Sequence, residues 1–118
     1  MSTLDPIFRG DDVYLDGTIT KNGTAQDITG CTLWFTLKAS KSDPDSAAIL
    51  QKTTGSGITV TNAAGGIYNV RINNSDLASL TVPKTFYWDV QIKDSANIVQ
   101  TVDSGTLTVN LDITVRTT

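Results

Sequence analysis

The chain of 118 residues is read as one domain, 1–118, long enough to bury a core without disulfide or metal staples. Its net charge of −3, with Lys and Arg scattered singly, excludes the basic patch of a nucleic-acid binder, and no apolar run reaches membrane-spanning length. There is no His, which removes the usual general base, the usual metal ligand and the Ser–His and Cys–His nucleophile pairings.

All 12 acidic residues are Asp, and Thr is the commonest residue type. Asp favours turns and Thr favours strands, while the helix-favouring Glu is absent, so the bias predicts an all-β chain. Pro6 and the Arg9-Gly10-Asp11-Asp12 bend separate a short edge segment from the first full strand. Over 13–19, Val13, Leu15, Gly17 and Ile19 share a face opposite Tyr14, Asp16 and Thr18. Asn22-Gly23 is a strong hairpin signal, because both residues tolerate positive φ. The turn at 27–30 leads into a strand over 31–38, where Cys31, Leu33, Phe35 and Leu37 alternate with Thr32, Trp34, Thr36 and Lys38.

Residues 40–46 are a polar loop, and 47–53 reads as a short edge strand interrupted by Gly55 and Gly57. Residues 58–61 and 67–72 form a second hairpin about the turn at 62–66, with Tyr68, Val70 and Ile72 on one face. The helical candidate is a single turn over 74–80, capped by Asn or Ser and ended by Pro83. The clearest strand spans 85–94: Phe86, Trp88, Val90 and Ile92 fall on one side, Tyr87, Asp89, Gln91 and Lys93 on the other. After a turn at 94–97, residues 98–102 pair back and Asp103-Ser104-Gly105 reads as a bend or bulge. Leu107, Val109, Leu111, Ile113 and Val115 then keep one parity. The inward faces of 31–38 and 85–94 are expected to press against each other as the two walls of a β-sandwich.

Few residues suggest chemistry. Cys31 is the only cysteine and alternates in phase with the apolar set, so it reads as a small buried side chain. Asp43 and Asp45, with Asp94 or Asp103, would suit calcium, although a solvated loop explains them better. Arg9-Gly10-Asp11 matches an integrin-read tripeptide, and a local turn accounts for the same residues. The sequons at Asn22 and Asn73 have no preceding secretion signal. Trp88 reads as core. Tyr14, Trp34 and Tyr87 fall on the outward parity, as a second covered face or a partner patch, and Arg116 is a further candidate contact. No catalytic residue, cofactor or metal is expected.

Several motifs follow one another in the order and spacing of a known family. They are Arg9-Gly10-Asp11 before Val13-Tyr14-Leu15, the run 27–38, Gly57-Ile58-Thr59-Val60 before Gly65-Gly66-Ile67-Tyr68, Asp76-Leu77, the run 87–94, and the run 104–109. In these the chain resembles the immunoglobulin-like domain at the N-terminus of phage baseplate upper proteins. The resemblance implies an immunoglobulin-like antiparallel β-sandwich in a bacteriophage virion, made in the host cytoplasm and without catalysis. It implies a tail, baseplate or fibre-attachment part that binds other virion proteins or copies of itself, with no nucleic acid or membrane partner. The rival readings are a capsid decoration protein, a carbohydrate-binding module on the virion in which Trp34, Tyr87 and Tyr14 stack on sugar rings, and a hydrolase using paired Asp residues.

Overall fold

The computed structural model describes the backbone at 2–3 and the chain at 6–111, so Ile113, Val115 and Arg116 lie outside the described residues. Strand β1 is Ser2–Thr3, β2 Ile7–Phe8, β3 Val13–Thr18, β4 Thr20–Lys21, β5 Thr24–Ala25 and β6 Thr32–Lys38. After a 3₁₀ turn at Asp45–Ala47 come β7 Leu50–Thr54, β8 Gly57–Asn62, β9 Ile67–Ile72, β10 Lys84–Lys93 and β11 Val99–Asn110.

Among the described residues the main strands follow one hydrogen-bonded path, β1-β11-β10-β6-β7-β8-β9-β3. Strand β2 also pairs with β11, and β4–β5 is a separate hairpin around Asn22-Gly23, whose φ angles of 55° and 78° are those its turn requires. The path folds over at β7–β8. Two residue pairs join those strands in parallel, and Gly55 and Gly57 take φ of 83° and 103°, angles that a Cβ would strain. Strands β11, β10, β6 and β7 thus form a larger leaf, and β8, β9 and β3 a smaller one. This is an all-β sandwich whose chain passes from one leaf to the other between β7 and β8. The pairing is antiparallel except at the corner and where β1 and β2 run parallel to β11.

One continuous apolar cluster fills the space between the leaves. The larger leaf contributes Leu33, Phe35, Leu37, Phe86, Trp88, Val90, Ile92, Leu107 and Val109; the smaller contributes Ile58, Tyr68, Val70 and Ile72. The alternation read from 31–38 and 85–94 is correct, but their placement differs from expectation. β6 and β10 are antiparallel neighbours in one leaf, with Leu37 beside Trp88, Phe35 beside Val90 and Leu33 beside Ile92. Period-two alternation fixes which side chains point inward and leaves open which strand lies alongside.

Three other details differ. The strand expected over 47–53 is Leu50–Thr54 and is no edge, since it lies between β6 and β8. Its Lys52 faces the end of the core and forms a 2.8 Å ion pair with Asp76. Residues 74–79 make successive turns rather than a helix. There the Asp76 carboxylate accepts the Asn73 N–H at 2.7 Å and closes the first turn, while Leu77 and Leu80 are buried. The bulge in β11 falls at Val102, which is skipped between the Val90–Asp103 and Gln91–Thr101 pairs. Asp103, beside the bulge, lies near Tyr68, whose hydroxyl pKa is pushed up to about 12 by burial first and by that charge second.

Candidate functional site

Because β6 and β10 are neighbours, their outward residues form one surface. Trp34 stands beside Gln91, Thr36 beside Asp89 and Lys38 beside Tyr87. Thr36 continues to Gln51 on β7, while Ser104 and Thr106 on β11 stand beside Asp89 and Tyr87. These side chains, with Lys41 and Asp45 from the loop above β6, line an open groove of about 600 Å³. An aromatic ring stands towards each end, and the floor between them is polar.

The floor is ordered by the leaf's own bonds. Gln51 Nε2 donates to Thr36 Oγ1 at 3.0 Å, and Gln91 Nε2 donates to Thr101 Oγ1 at 3.3 Å. Lys38 Nζ is held by Asp45 Oδ1 and by the Asp43 carbonyl, both at 2.8 Å. That ammonium lowers the pKa of the Asp45 carboxyl, first by direct hydrogen bonding and then by its charge. Asp89 shifts the other way. Burial raises its pKa, the Lys38 charge partly offsets the rise, and Asp45 adds to it. Among the described residues Asp89 has no hydrogen-bond partner. Lys41 Nζ lies 5.2 Å from the centre of the Tyr87 ring and Lys93 Nζ 5.8 Å from that of Trp34.

Of the residues singled out from sequence, Trp34 and Tyr87 come together in this groove. Tyr14 does not: it sits on β3 in the smaller leaf, where its hydroxyl accepts from Arg71 Nη1 at 2.7 Å and its ring faces that guanidinium. Arg116 lies outside the described residues. Trp88 is core, 6% exposed and stacked on Phe35. Asp89, Gln91, Gln51 and Thr36 were not among the sequence candidates. Their outward parity was visible, and only the adjacency of β6 and β10 unites them.

The remaining motifs are absorbed locally. The Arg9 guanidinium donates to the Leu80 carbonyl at 2.9 Å, so the Arg9-Gly10-Asp11 bend is tied down by its own arginine. The Asp43–Asp45 loop wraps the Lys38 ammonium, and no group of three or more metal-donor side chains occurs among the described residues. The pKa of the Cys31 thiol is raised, by burial first and by Asp94 and Asp27 next, which disfavours the reactive thiolate.

Fold and groove together define an all-β sandwich with an open, aromatic-flanked face. No family model and no curated protein matches the chain. Among solved structures it is similar to AggA, the major subunit of aggregative adherence fimbriae type I from Escherichia coli, with 13% identity and a TM-score of 0.34 over 92% of this chain and 91% of that one. The expectation of a bacteriophage virion role is corrected: no family model matches to support it, and AggA is a bacterial fimbrial subunit rather than a phage protein. No helix among the described residues is long and apolar enough to cross a membrane.

Proposed function

We propose that the chain is a non-catalytic binding protein whose working surface is the groove across β7, β6, β10 and β11. The observation that carries this reading is Asp89. Its carboxylate is partly buried, and among the described residues it takes no hydrogen bond from the protein, so its oxygens stand open on the groove side to accept from a ligand. Here it lies on the floor between two outward aromatic rings. The other groove carboxylate, Asp45, is engaged by Lys38 on an exposed loop, which suits a structural role better than an acid–base one.

Amide shift mapping of labelled protein tests the reading without presupposing a ligand. Neutral oligosaccharides, acidic and basic peptides and nucleotides would be added in turn. The reading expects at least one class to shift Trp34, Thr36, Tyr87, Asp89 and Gln91 together. Shifts confined to the smaller leaf would refute it.

A second reading, assembly of several copies, has one observation in its favour. Strand β3 pairs only with β9 among the described residues, so its other edge is open to a further strand. Concentration-dependent line broadening along 13–18 would mark it. The likeness to the immunoglobulin-like phage domain is retained as a proposal about descent and brings no role with it.

A further inference from the structure

We propose that the groove takes a neutral oligosaccharide, bound at Trp34 and Tyr87 with Asp89 accepting a sugar hydroxyl between them; this rests on the groove being the working surface. Three features of the groove point to that class of ligand.

The first is spacing. Trp34 pairs with Gln91, and Tyr87 lies four residues before Gln91 on the same strand. At roughly 3.4 Å per residue the two aromatic positions are about 14 Å apart along the strand direction, more than one sugar ring covers. An oligosaccharide reaches both, and a monosaccharide reaches one.

The second is charge. Lys38 and Lys41 are matched by Asp45 and Asp89, and with Lys93 beside Trp34 the groove carries a single excess positive charge, too weak a field to select a highly charged ligand. Both ring faces already carry one of the protein's own ammonium groups, from Lys41 and Lys93. A neutral ring with apolar C–H faces stacks on such an aromatic once a flexible lysine swings aside, whereas a cationic ligand would have to compete with it.

The third is hydrogen bonding. Sugar hydroxyls both donate and accept, and the floor offers both partners. Asp89 accepts, each of Gln51 and Gln91 keeps an amide oxygen that accepts, and Gln91 keeps a second amide N–H that donates, beyond the N–H it gives to Thr101. A polypeptide strand fits less well. It binds by main-chain pairing at a sheet edge, and this groove lies on a sheet face whose strands pair with one another.

The test is calorimetric titration of the whole chain with neutral hexasaccharides: β-1,4-glucan, β-1,4-mannan, α-1,4-glucan and chitin fragments. Glucose, N-acetylglucosamine and a sulfated hexasaccharide serve as comparisons. The proposal expects at least one neutral hexasaccharide to bind, roughly tenfold or more tighter than its monosaccharide, with little dependence on salt. Trp34→Ala, Tyr87→Ala and Asp89→Asn should each weaken binding by roughly tenfold, while Tyr14→Ala, on the other leaf, leaves it unchanged. Circular dichroism would confirm that each variant is folded.

Absence of binding by every neutral hexasaccharide overturns the ligand class. Should another class then shift the groove amides, the groove itself survives as the working surface. Sugar binding that persists in both aromatic variants overturns both readings together. Shortened sugars after incubation would keep the ligand class and overturn the non-catalytic reading.

Discussion

The rings of Phe35 and Trp88 stack with centroids 5.8 Å apart and planes at 27°. They belong to adjacent strands of the same leaf, as diagonal neighbours flanking the Phe35–Val90 and Leu37–Trp88 pairs. Phe35 and Trp88 therefore do not meet across the sandwich. Their stacking locks β6 to β10 from the inside, and the same register aligns Trp34, Thr36, Tyr87, Asp89 and Gln91 on the outside. Core and groove are two sides of one pairing.

Truncating the inner side should damage the fold, and truncating the outer side should not. Phe35 is 2% exposed, and Phe35→Ala is expected to cost about 3–5 kcal/mol, including the cavity left behind. Trp34→Ala removes a half-buried ring facing the groove and is expected to cost about 1 kcal/mol or less. Urea unfolding of the two variants measures the difference.

Asp89 should make the fold less stable at neutral pH. Its folded pKa lies above the ordinary 3.8. Between those two values the folded chain holds more proton than the unfolded one, so this group's contribution to stability falls as pH rises through the window. Above the folded pKa the penalty is complete. Asp89→Asn should therefore be more stable than the parent at pH 7, by less than about 1 kcal/mol after allowance for solvent screening, and should show no such gain below the ordinary value. Thermal melts across that range give the answer.

Asp76 has the opposite sign. Burial pushes its pKa up, and this is outweighed by the hydrogen bond to Lys52, the bond from the Asn73 backbone and the Lys52 charge, so the net shift is downward. Its stabilisation is complete above the ordinary 3.8 and is lost as pH falls through the lower, folded value. Asp76→Asn should lose about 1.5–3 kcal/mol at pH 7 and should flatten the acid limb of the stability curve. Denaturant midpoints of parent and variant at pH 7 and in acid would reveal both effects.

Gly66 ends the turn between β8 and β9 with φ of 70°. A Cβ there would lie 2.5 Å from the Gln26 carbonyl oxygen and 2.7 Å from that of Ile19, both backbone atoms that cannot swing away. Gly66→Ala should destabilise by about 1–3 kcal/mol, more than the usual preference of glycine for this region, and a melting curve would show it.

Much of the fold could be read from side-chain order. The alternation in 13–19, 31–38, 67–72 and 85–94 and the Asn22-Gly23 hairpin are local signals, each expressed within a few residues. What was not legible depends on distance along the chain. Nothing in 31–38 names residues 84–93 as its neighbour, so Trp34 and Tyr87 could be recognised as outward and not as members of one groove. Asp89 and Gln91 looked like ordinary solvent-facing residues for the same reason. The pairing of Lys52 with Asp76, 24 residues apart by number, was equally invisible.

Interstrand backbone nuclear Overhauser effects between β6 and β10 test this arrangement most directly. Neighbouring strands lie about 4.8 Å apart and opposed leaves about 10 Å, so main-chain contacts separate the two cases cleanly. The structure predicts contacts in the register Trp34–Gln91, Thr36–Asp89 and Lys38–Tyr87. Their absence, with only side-chain contacts between Phe35 and Trp88, would set the two strands across the core and leave no groove for a ligand to occupy.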